Sequence, residues 1–136
     1  MPADPRLLAL PSLRRQAEAD ARELFDRGHA VAQSFGFESP MWELLREDER
    51  TAVIENHARG LADPTRWQSQ AWALRRIAEL VRFSIGDSVP TIRLIPDEKR
   101  VVWIVECGTE AHCFTLPDAT SRPEAIAAIL LHLESQ

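Results

Sequence analysis

The sequence predicts an α+β fold: about four N-terminal helices, a three-stranded antiparallel meander, and a C-terminal helix packed on the sheet. Three observations carry that prediction. Residues 12–86 repeat apolar positions every three or four residues between cap signals. Thr91–Ile95, Val101–Cys107 and His112–Leu116 read as short strands, joined by Pro96-Asp97-Glu98-Lys99 and Gly108-Thr109-Glu110-Ala111. Ser121-Arg122-Pro123-Glu124 then has the form of a capping box ahead of the stripe Ile126, Ile129, Leu130 and Leu133.

Taken in order, residues 1–11 hold three prolines and read as an irregular lead-in. The first helix is expected to start at a Ser12 cap and end at Gly36, with Leu13, Ala17, Ala21, Leu24, Gly28, Val31 and Phe35 on one buried stripe. At ~1.5 Å per residue it is about 36 Å long, enough to lie along a whole domain; it can support a homo-oligomeric coiled coil without requiring one. Ser39-Pro40 reads as a second helix start, Glu47–Arg59 as a third helix stopping at Gly60, and Asp63-Pro64 as the start of a fourth running to about Ser84. The fourth carries two apolar faces, Trp67, Ala71, Leu74, Ala78 and Val81 against Trp72, Leu80 and Phe83, and so reads as the central helix. The whole chain, 1–136, is expected to be one domain: lead-in, helical part 12–86 and βββα part 89–136.

In the sheet, a turn that pairs Cys107 with His112 sets Val105 opposite Phe114 and Trp103 opposite Leu116. Ile92, Leu94 and Val101 then join them on one apolar face, which a one-residue slip would break. The other face would carry Arg93, Ile95, Val102, Ile104, Glu106, Cys113 and Thr115, with more aliphatic surface than a solvated face needs. It is expected either to pack on the helical part or to receive a partner.

Composition narrows the function classes. The chain has 136 residues, 45% hydrophobic and 27% charged, with a formal charge of −5, an ordinary globular composition. No apolar run approaches a membrane span, and the Leu7–Leu10 patch is too short for a signal peptide. Two cysteines make no disulfide framework, which suggests a reducing, cytoplasmic setting. The acidic balance disfavours nucleic acid, although Arg66, Arg75, Arg76 and Arg82 concentrate positive charge on the fourth helix.

Candidate chemistry is sparse. Cys107 and His112 share a sheet face and could act as a thiolate pair, but a buried cysteine and a satisfied histidine at a hairpin end are commonplace. Glu106 and Cys113 fall on the opposite face, so the four residues cannot surround one tetrahedral metal. Glu23, Asp26 and His29 share a helix face, yet their best counterparts, Glu55 and His57, diverge by about 200° at helical geometry. No hydrolase, zinc or phosphate-loop motif is present. No cofactor or metal is expected. Of the tryptophans, Trp67, Trp72 and Trp103 are expected in the core, and Trp42 is the candidate for exposure. The acidic run Glu43, Glu47, Asp48 and Glu49 could dock on a basic partner.

The expectation is therefore a non-enzymatic protein–protein interaction module, a small cytoplasmic regulator, inhibitor or complex subunit. Its contact residues would be Arg93, Ile95, Val102, Ile104 and Glu106 on the outer sheet face, with the acidic patch as a second surface. The alternative is a small enzyme or ligand-binding domain using Cys107 and His112, or His57, between helical layer and sheet.

Overall fold

The computed structural model describes residues 3–82, 90–96, 101–107 and 110–136. The chain divides into two compact units, Pro2–Ala62 and Asp63–Gln136.

The first unit is helical. Where an irregular lead-in was expected, Pro5–Leu8 forms a single helical turn, α1. Asp4 caps it, accepting from the Arg6 N–H at 2.9 Å. Burial alone would raise the Asp4 carboxyl, but the Arg6 side chain, N–H and charge outweigh burial and hold it below the usual carboxylate range. The long helix α2 spans Pro11–Ser34. It starts at Pro11 rather than after a Ser12 cap, because the first helical position needs no N–H and suits proline's fixed φ; Ser12 is buried in the first turn. Its end is a Schellman motif. Gly36 takes φ +76°, its N–H donates to the Gln33 carbonyl at 3.0 Å, and the Phe37 N–H donates to the Ala32 carbonyl at 2.8 Å.

No helix starts at Ser39-Pro40. His29 Nδ1 lies 3.1 Å from the Ser39 carbonyl oxygen and 3.2 Å from its hydroxyl, and a 3-10 turn, Trp42–Leu44, follows. Helix α3 spans Glu47–Leu61 and runs through Gly60 instead of stopping there. The Glu49 carboxylate accepts from the Arg46 N–H at 3.1 Å, so the acidic run forms the favourable first turn of a helix. α3 lies antiparallel to α2. Arg14 near the start of α2 pairs with Glu55, and the Asp4 N–H donates to the Ala62 carbonyl at 2.9 Å. Leu7, Leu13, Ala17, Ala21, Ala58, Leu61 and Ala62 are buried. The small residues suit two helices that approach closely.

The second unit begins with a turn rather than a helix. Asp63 accepts from the Thr65 N–H at 3.1 Å and the Thr65 hydroxyl at 2.6 Å; this side-chain turn outcompetes helix formation at Pro64. Thr65, and then Arg66, hold the Asp63 carboxyl below its ordinary range. Helix α4 therefore spans Trp67–Val81 and ends at Arg82 in a left-handed conformation. The expected stretch to Ser84, and Phe83 with it, lies outside the described residues.

Strands β1 (Thr91–Pro96), β2 (Val101–Cys107) and β3 (Glu110–Thr115) form an antiparallel meander in the order β1-β2-β3. Ile92 pairs with Val105 and Leu94 with Trp103. The second hairpin is tighter than expected: Cys107 pairs with Glu110, Val105 with His112 and Trp103 with Phe114. The shift is two residues, so the described side chains keep their expected faces. Helix α5 spans Arg122–Glu134. Ser121 accepts from the Glu124 N–H at 3.3 Å, while the Glu124 carboxylate returns to the Thr120 N–H at 3.3 Å, one residue earlier than a full capping box.

Among the described residues α5, rather than α4, is the helix packed on two sides. It adjoins both α4 and β1. Arg122 donates to the Ile92 carbonyl at 2.8 Å, the rings of His132 and Phe114 meet edge to face with centroids 6.3 Å apart, and Arg76 of α4 pairs with Glu134 at 2.6 Å. Ala125, Ile126, Ala127, Ile129 and Leu130 are all buried. On α4 the buried residues are Ser69, Ala73, Leu74 and Ile77, a face rotated by about 100° from the predicted stripe at helical geometry. Sequence patterning weighs large side chains most, whereas a close helix pair selects small ones.

Candidate interaction surface

The main surface feature lies on the first unit and follows from helix lengths. α2 has 24 residues and α3 has 15, about 36 and 22 Å. The start of α3, Glu47 and Thr51, lies beside Glu18 and Arg22 of α2. Beyond that point α2 has no second helix of its unit alongside. Its apolar stripe continues regardless: Leu13, Ala17 and Ala21 are buried, but Leu24 and Val31 are each 57% exposed and Phe35 is 74% exposed. The prediction of one buried stripe is thus correct for its first half and wrong for its second. The Schellman turn directs Phe37 back toward the last turn of the helix, and Phe37 is 70% exposed. Met41 and Leu44 in the following segment are exposed as well.

The neighbouring face of α2 is occupied. Phe25 and Trp42 meet edge to face with ring centroids 5.5 Å apart, and Arg22 pairs with Glu43 at 2.7 Å. Trp42, the candidate for exposure, is buried. Glu18, Arg22, Trp42, Glu43, Glu47 and Arg50 line an open depression of about 420 Å³. The acidic patch is interleaved with arginine there. Glu43 is held below its usual range by its own backbone N–H and by Arg22, and Arg46 lies 3.4 Å from Asp48 and 3.2 Å from Glu49. Much of the acidic charge is offset by neighbours.

On the second unit, the inner sheet face buries Ile92, Trp103, Val105 and Cys107, while Leu94 is exposed toward the edge of the sheet. The Trp103 Nε1 is buried and has no hydrogen-bond partner among the described residues. Cys107 and His112 do share this face, Cys107 buried and His112 exposed, two positions apart along the ladder. Cys113 is exposed on the other face. His57 is half-buried on α3. Among the described residues no group of three or more His, Cys, Asp or Glu side chains could hold a metal ion.

The outer face brings together Arg93, Val102, Ile104 and Glu106. Arg93 and Glu106 pair across the strands at 2.9 Å, and Val102 and Ile104 are half-buried. The Ile95 backbone pairs with Val102; its side chain lies outside the described residues. Trp67, expected in the core, is exposed at the start of α4. Arg66, Arg75, Arg76 and Arg82 make no single basic face, since Arg76 is engaged by Glu134 and Glu79.

Sequence reasoning missed the exposed half of α2. The available signal was length: α2 is longer than any helix that could flank it. No protein-family model, curated protein or solved structure matches this chain. No helix among the described residues is long and apolar enough to cross a membrane.

Proposed function

We propose that this chain is a non-enzymatic protein–protein interaction module, a small regulator, inhibitor or complex subunit. The observation that supports this reading is the exposed apolar seam of α2 with Phe37 beside it. A seam with helical spacing, wider than scattered surface apolar residues, suits one occupant: the apolar face of a partner's helix laid along it. The outer sheet face, with Val102 and Ile104 half-buried, is the second surface of the same reading.

The test is capture of binding partners by the purified chain, compared across variants that leave the core untouched. Leu24→Glu should abolish capture of a stoichiometric partner while the circular dichroism spectrum is unchanged, and Ile104→Asp should leave capture intact. Loss with Ile104→Asp alone would move the contact to the sheet. A partner indifferent to both substitutions, or no stoichiometric partner at all, would overturn the reading.

A further inference from the structure

We propose that the exposed seam of α2 recognises itself, so that two copies of this chain pair through antiparallel α2 helices. This rests on the reading that the seam docks an apolar helix, and it names that helix.

Spacing is the first reason. Leu24, Gly28, Val31 and Phe35 are separated by four, three and four residues, the alternation that keeps one seam against a partner helix. It reads the same in both directions. In an antiparallel pair Leu24 meets Phe35 of the second copy and Gly28 meets Val31 of the second copy, so each small or medium side chain faces a larger one. In a parallel pair Gly28 would meet Gly28, leaving a void. A Cβ added at Gly28 meets nothing within 4 Å inside the chain, so the notch is open for a neighbour's side chain.

Charge is the second reason. The residues flanking the seam are Phe25, Arg27, Ala32 and Ser34. Arg27 already pairs with Glu23 of its own helix, and the antiparallel register sets it opposite Ser34 of the second copy. No like charges meet.

Area is the third. The exposed parts of Leu24, Val31, Phe35 and Phe37 amount to roughly 450 Å² per copy, or about 900 Å² for the pair. With the flanking residues the total reaches the ~1,000 Å² that separates specific contacts from incidental ones. The dimer is accordingly weak and reversible.

Sedimentation equilibrium of the full chain, from low micromolar up to about 1 mM, the range in which weak contacts form, reads the outcome. The apparent mass should rise from one chain toward two. Val31→Glu alone and Gly28→Lys alone should each stay at one chain, and an equimolar mixture of the two should regain dimer, because residue 28 faces residue 31 only in the antiparallel register. A wild-type chain that stays monomeric over the whole range overturns self-recognition. So does a wild-type dimer unchanged by Val31→Glu. If the chain is monomeric yet captures another protein that Leu24→Glu releases, self-recognition fails and the interaction-module reading stands. If it is monomeric and captures nothing, both fail.

Discussion

Arg76 shows how much a single ion pair depends on its surroundings. It reaches Glu134 at 2.6 Å and Glu79 at 3.0 Å; the hydrogen bond it donates to Glu134, with Glu79 adding to it, outweighs the opposing effect of burial and leaves its guanidinium more firmly protonated than usual. The Glu134 side chain is only 13% exposed. Arg76→Ala removes that partner and should cost about 1–3 kcal/mol, read as a lower denaturant midpoint. Arg46→Ala, at a solvated helix start, should cost no more than about 0.5 kcal/mol; equal losses would contradict this. The tryptophans divide by the same criterion of surroundings. Trp42 is sheltered by Phe25 and Trp103 by the inner sheet face, whereas Trp67 is exposed. Iodide should therefore quench mainly Trp67, and Trp67→Phe should remove most of the quenchable fluorescence. These inversions were hidden in the sequence because hydrophobicity ranks Trp67 and Trp42 alike, and only their neighbours separate them.

Among the elements, α2 carries the clearest backbone consequences. Gly36 holds φ +76° at the Schellman turn, where an L side chain is strained. Gly36→Ala should cost about 1 kcal/mol. Gly28 is the opposite case: it sits inside the helix with open space where a Cβ would go, so Gly28→Ala should stabilise the isolated chain by about 0.8–1 kcal/mol. Thermal melts of the two variants at low concentration should move in opposite directions; movement in the same direction would contradict this reading of the helix. The C′ role of Gly36 was legible because glycine follows the last periodic residue. The start at Pro11 was misread because Ser12 is itself a strong capping residue, and composition does not rank the two. The capping of α5 was legible for the same local reason, while the rotation of α4 was not. Its buried face holds the small residues Ser69 and Ala73 beside Leu74 and Ile77, and a single helix's pattern does not encode what it packs against.

For the whole molecule, the charge of −5 and the engagement of Arg76 by Glu134 and Glu79 weigh against phosphate binding. No retention on DNA is expected even at low salt, and salt-sensitive retention would contradict that expectation. The fold class, the antiparallel meander with its described side chains on the expected faces, and the terminal helix follow from the sequence alone. Alternation of period two, helical period and cap residues are local, and an even register shift preserves the faces. Candidate surfaces are a different kind of quantity. Cys107 and His112 were placed on one face by alternation, but alternation did not say that one would be buried and the other exposed. The acidic run was visible, but not the arginines that sit among it. Whether the α2 stripe is core or surface depends on how far α3 extends along it, and whether a helix is central depends on what lies on its two sides. Sequence by itself determined the fold class, the antiparallel meander and the terminal helix, because those arise from neighbours within a few residues along the chain. Tertiary structure alone decided which apolar faces stay uncovered, because coverage is set by the lengths and crossings of elements distant in sequence.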